Sequence, residues 1–207
     1  MQTVNMLGMD VGFRKTGLTV FRVSAEGDEL VAADTIYTGD DVASSVLIAD
    51  VLSCMTWCER LDEFVSRHAP KVIFAEIPHG GAQGARANRC MGLATALAAA
   101  YIHYRPVEFE FFSPHAVEKA LGVALLPGDA KKLSKGERTA WKKERLARMV
   151  LREWPDFRGW PSTKRLKEDA IDSAAAFLCG RITSSVYKMA KQRATGSSTS
   201  QTKSPAS

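Results

Sequence analysis

The 207-residue chain lacks long apolar runs: the best, Met91 to Ala100, falls far short of the roughly 18–20 residues a membrane-spanning helix needs. Cysteine is scarce, with four residues, no CxxC pair and no histidine near Cys54 and Cys58. That excludes a disulfide framework and argues against a zinc cluster, so Cys54 and Cys58 are expected as buried thiols. Too few residues precede the strand-like Met6–Gly12 to hold a signal peptide, and a cytoplasmic protein is expected. No internal repeat is present. What remains, 45% hydrophobic and 25% charged residues, is the composition of a soluble domain with its own core.

Charge is unevenly spread. Residues 1–130 carry 10 basic and 16 acidic side chains, whereas residues 131–167 carry 13 basic and 4 acidic ones. Thirteen positives confined to 37 residues read as a footprint for a polyanion, with nucleic acid as the first candidate. A solvated helix face that keeps the protein soluble is the alternative. The folded domain is expected over residues 1–190 and a disordered tail over 191–207. From Thr195 onward that tail has eight Ser or Thr in 13 residues.

Hydropathy patterning predicts an α/β fold. Val4–Val11, Gly17–Val23 and Leu30–Tyr37 read as three strands of an antiparallel meander, turning at Glu26–Asp28. Asp41–His68 has helical spacing and stops before Pro70, Lys71–Ile77 is a buried-type strand, and Ala85–Tyr104 is a helix of small residues. Val107–Phe112 alternates as a fifth strand. Ser113-Pro114 caps a short helix that ends at Gly122. Thr139–Glu153 reads as a basic amphipathic helix and Leu166–Tyr187 as the last helix. Together these elements predict a mixed five-stranded sheet flanked by helices.

Four carboxylates stand out by placement. Asp10 ends the first strand in phase with Met6 and Gly8, and Glu76 ends the fourth in phase with Val72 and Phe74. An acid on an apolar strand face is costly to bury unless it is paired, protonated or bound to a cation. Asp169 and Asp172 are three apart and share a helix face beside apolar Ile171, Ala174 and Ala175. Taken singly, Asp10 could cap a turn, Glu76 could pair with an arginine, and the two helix acids could be ordinary surface. Gathered together and flanked by positive charge, they suit hard divalent cations, Mg²⁺ or Mn²⁺, of the kind that hydrolyse phosphodiesters.

The stretch Met6-Leu-Gly-Met-Asp10-Val-Gly12 with Thr16-Gly17 resembles the opening of the RuvC-type Holliday junction resolvases, within the RNase H-like superfamily. Val72–Glu76 is similar to that family's second acidic strand. Phe111-Phe-Ser-Pro114-His-Ala-Val117 is similar to its entry into the next helix, and Asp169-Ala-Ile-Asp172-Ser-Ala to its closing acidic motif. The resemblance spans about residues 4 to 180. Val11 replaces the usual proline, residues 125–141 look like a basic insertion, and Trp154–Lys167 is longer than the family pattern. Glu118 stands where a DNA-contacting lysine is common, with Lys119 as a substitute.

The resemblance implies an RNase H-like fold and a structure-selective, Mg²⁺-dependent endonuclease that resolves four-way DNA junctions. It places Asp10, Glu76, Asp169 and Asp172 as ligands of two Mg²⁺ ions, with Mn²⁺ as a substitute, and Lys143 as the cation near the scissile phosphate. Lys119, Lys131, Lys132 and Lys142 would meet DNA phosphates, and His79 would stack at the junction centre. A homodimer is implied, with the helix from Ala85 as one candidate interface, although core packing explains its alanines equally well. The implied place of action is the nucleoid, or the host cytoplasm for a phage-borne member; no feature points to a helicase or motor partner. The rival readings are a nuclease for flap DNA or structured RNA, a non-catalytic junction binder, and an actin-like ATPase. The last would need a second phosphate loop and an adenosine subdomain, for which the 35 residues after Asp172 are expected to be too few.

Overall fold

The computed structural model describes residues 3–38, 45–78, 84–124, 128 and 131–194. Strands β1 (Val4–Asp10), β2 (Lys15–Val23) and β3 (Asp28–Tyr37) form an antiparallel meander. Strands β4 (Val72–Glu76) and β5 (Glu108–Phe112) extend the sheet by parallel pairing beside β1, in the order β3-β2-β1-β4-β5. The mixed five-stranded sheet expected from the patterning is therefore present.

Strand alternation sorts the core into two layers. Leu7, Met9, Leu18, Val20, Ile73 and Ala75 face α1 (Val46–His68) and α2 (Ala85–Tyr104). Met6, Phe21, Val23 and Phe74 face the other side, where the later helices pack. These are α3 (Pro114–Ala120), α4 (Lys135–Glu153), α5 (Lys164–Thr183) and α6 (Ser185–Ala194). Ten of the eleven residues from Ala170 to Gly180, all but Asp172, are buried, which makes α5 the central helix of that layer.

Several local signals act as read. Ser113 caps α3 by accepting from the Ala116 amide, with Pro114 at the first helical position. Helix α4 begins four residues before the expected Thr139. Ser134 and Glu137 form a capping box that satisfies the amides of both residues. The expected last helix is broken at Ser184, whose extended backbone separates α5 from α6. Residues 191–194 belong to α6, with Ala194 buried, so the expected tail begins too early; residues 195–207 lie outside the described residues. Cys54 is half-buried at the margin of the α1 stripe that packs on the sheet, and Cys58 is exposed. The alanines of α2 divide between the core (Ala94, Ala98) and the surface (Ala96, Ala99, Ala100). Among the described residues, no helix is long and apolar enough to cross a membrane.

Candidate metal centre

Asp10 and Glu76 are the last residues of β1 and β4, and the parallel register sets them side by side. Beyond them the pairing continues, with the Val11 amide donating to the Glu76 carbonyl at 2.9 Å. Both acids lie in phase with Met6, Phe74 and Val72, so they share the sheet face that α5 covers.

Two strand glycines bring α5 close. A Cβ at Gly8 would collide with the Ser173 carbonyl oxygen, and one at Gly17 with the Asp169 carbonyl oxygen. The helix backbone therefore rests directly on β1 and β2. Polar contacts fix its rotation. The Thr35 hydroxyl donates to the Leu166 carbonyl at 2.9 Å, and the Ser173 hydroxyl lies 3.1 Å from that of Thr19. This places Asp169 and Asp172, about one turn apart, over the ends of β1 and β4. The turn after β1 is braced from the other layer, where buried Trp57 Nε1 donates to Thr16 Oγ1 at 2.8 Å and Thr16 bonds the Gly12 carbonyl.

The electrostatics record the convergence. Burial, then repulsion from Glu76, Asp172 and Asp169, holds the Asp10 carboxyl well above its ordinary range. Burial, with Asp172 and Glu118 adding to it, pushes Glu76 up to about 7. Asp172 is raised to about 6, chiefly by burial, with Lys143 opposing the shift. Positive charge comes from two lysines. Lys15 Nζ donates to Asp169 Oδ2 at 2.8 Å, and Lys143 Nζ stands 3.7 Å from Asp172 Oδ2.

This donor set fits a hard divalent cation: it offers only oxygen ligands, half-buried, whose mutual repulsion a 2+ ion would relieve. Among the described residues, no three acidic, histidine or cysteine side chains are drawn into one closed coordination cluster. Asp169 in particular is turned to Lys15. The convergence is one of shared edge and shared field.

The basic candidates separate. Lys119 is exposed on α3, and Lys131 and Lys132 are exposed in the turn before α4. Lys142 directs its ammonium to both carboxylate oxygens of Glu118. His79 lies outside the described residues. A cavity of about 210 Å³ opens beside Glu76 and Asp172, floored by Val117 and Leu146 and rimmed by Glu118, Lys142 and Lys143. Lys15 was missed by sequence reasoning, yet it precedes Gly17 by two and so shares the strand face against which α5 lies.

No protein-family model and no curated protein sequence matches the chain. Solved structures do. The structure of T. thermophilus RuvC in complex with Holliday junction substrate superposes with a TM-score of 0.60 at 17% identity, covering 86% of this chain and 94% of that one. A second Thermus thermophilus RuvC structure gives a TM-score of 0.59 at 17% identity, over 91% of this chain and 98% of that one. The chain therefore has the RNase H-like fold of these structures.

Proposed function

We propose that the chain is a metal-dependent endonuclease that resolves four-way DNA junctions. The observation that carries this reading is the register of Asp10 beside Glu76 under Asp172 of α5. It gathers buried like charges at one sheet edge, where an ordinary structural role would require paired ones. The similarity in fold to a RuvC bound to a Holliday junction supports the choice of substrate.

Asp10, Glu76, Asp169 and Asp172 would hold Mg²⁺, or Mn²⁺ in its place. Bound there, such ions supply an activated water and neutralise charge at the phosphate and the departing oxygen. The chain's own residues do the rest. Glycine-tight packing of α5 keeps the carboxylates fixed before substrate arrives, and Lys143 adds a positive charge at the rim where a phosphate would enter. Lys119, Lys131 and Lys132, all exposed, hold backbone phosphates and so give affinity without reading sequence. A junction has two-fold symmetry and needs two nicks, which a homodimer with two such edges delivers.

The test is cleavage of a labelled four-way junction in Mg²⁺ beside linear duplex, flap and RNA hairpin. Paired symmetric nicks on the junction alone, absent in Asp10→Asn, are expected. Cutting of flaps or RNA instead keeps the centre and changes the substrate. Tight junction binding without cutting in either metal identifies a binder.

A further inference from the structure

The cavity beside Glu76 contains a pair of side chains that the reading above leaves idle. Glu118, on α3, turns both carboxylate oxygens to Lys142 Nζ, at 2.7 and 2.6 Å. The pair is sheltered, with side chains 25% and 32% exposed. Its α3 end is anchored, since Val117 beside Glu118 is buried in the main core and Ser113 caps the helix. Its α4 end immediately precedes Lys143, the ammonium facing Asp172.

Helix geometry links these contacts. Consecutive residues of an α-helix diverge by about 100°. With Lys142 tied to α3, the next side chain is directed across the gap to α5, where Asp172 stands. The packed residues of α4, Leu146, Ala147, Met149, Val150 and Leu151, and its ion pair from Glu153 to Arg181 lie in its C-terminal half, so the roll of its N-terminal half calls for a restraint there. A bidentate pair at its N-terminal half supplies that restraint.

We propose that Glu118 is a positioning residue: through Lys142 it sets the roll of α4 and holds Lys143 over the carboxylate edge. Lys142 is then a strut, and its ammonium is not a phosphate contact. The inference rests on the nuclease reading for its catalytic consequence, and on the ion pair alone for its structural one.

The experiment compares wild type, Glu118→Gln, Lys142→Gln, the double variant and the swap Glu118→Lys/Lys142→Glu. Each is measured for single-turnover junction cleavage in Mg²⁺ and for metal-free junction binding across a salt series. Each single variant is expected to cut about tenfold more slowly with Kd and salt slope unchanged, the double variant no more slowly than either single, and the swap close to wild type. A Lys142→Gln protein that binds more weakly with its salt slope reduced by about one, while Glu118→Gln cuts normally, would make Lys142 a phosphate contact and overturn the strut. Side-chain NMR reads the strut without cleavage. Contacts between Lys143 and α5 should be present in wild type and lost in both single variants; contacts that persist in both would also overturn it. A wild type that cuts nothing sinks the nuclease reading and leaves the NMR arm to decide the strut.

Discussion

Two aspartates sit at opposite ends of the same sheet, and the charges around them differ in sign. Asp28 starts β3 at the end where Val4 pairs with Val23, and its side chain is 3% exposed. Tyr187 donates to both its oxygens, at 3.0 and 2.8 Å, and Arg181 and Lys191 each stand 3.6 Å away. Trp154 Nε1 donates to its carbonyl. Asp10, at the other end, meets Glu76, Asp172 and Asp169. The first acid is fully compensated and ties α5, α6 and the Trp154 segment to the β2–β3 turn. The second faces three carboxylates, with only the Lys143 ammonium acting against them. Compensation suits a structural acid, and crowding by like charge suits the metal-holding role proposed for Asp10.

The sharpest way to break that comparison is to neutralise each acid in turn. Asp10→Asn should lower junction cleavage by at least about a thousandfold while leaving the melting temperature equal or higher, because it removes repulsion. A wild-type cleavage rate in that variant would end the distinction. Asp28→Asn should do the reverse, costing about 3 kcal/mol of stability in denaturant titration, since it removes the charged acceptor of Tyr187 and the counter-charge of Lys191, and leaves Arg181 only Glu153. Cleavage per folded molecule should be unchanged, and a loss of activity without a loss of stability would mean that both ends serve the reaction.

A smaller effect separates the two ends by pH. Folded Glu76 and Asp172 keep their protons up to about 7 and about 6, above ordinary values of 4.5 and 3.8. Between about pH 4 and 7 these two groups thus bind more protons in the folded chain than in the unfolded one, and their contribution to stability falls as pH rises through that window, levelling off above it. Metal-free melting temperatures should show this decline, and Mg²⁺ should offset it above pH 7. Stability that climbs over the same range would show that the acids are already compensated. The smallest effect is expected from Lys15→Met, which frees Asp169. Cleavage should drop about tenfold, or ~1.4 kcal/mol; an unchanged rate would give Lys15 a structural role only.

The parts of this account legible in the sequence were those set by period and neighbourhood. The phase of Asp10 with Gly8 and of Glu76 with Phe74 put both acids on one sheet face, and the three-residue spacing of Asp169 and Asp172 put them on one helix face. Gly8 and Gly17 were visible as glycines within strands, and the approach of α5 explains them. What stayed hidden was long-range pairing of flexible ends. Lys15 reaches Asp169 across 154 residues, and Tyr187 reaches Asp28 across 159. No local pattern encodes either contact, because each depends on how α5 and α6 cross the sheet. The start of α4 is set by the capping box of Ser134 and Glu137, ahead of where its apolar spacing begins. The break at Ser184 carries neither proline nor glycine to announce it.

The most direct test is calorimetric titration of Mn²⁺ and Mg²⁺ into wild type, Asp10→Asn and Asp28→Asn, with junction cleavage measured on the same samples. Wild type and Asp28→Asn should take up metal and cut the junction in paired nicks, while Asp10→Asn stays folded and does neither. Metal uptake and paired nicking by Asp10→Asn at wild-type levels would contradict the assignment of that sheet edge as the metal centre.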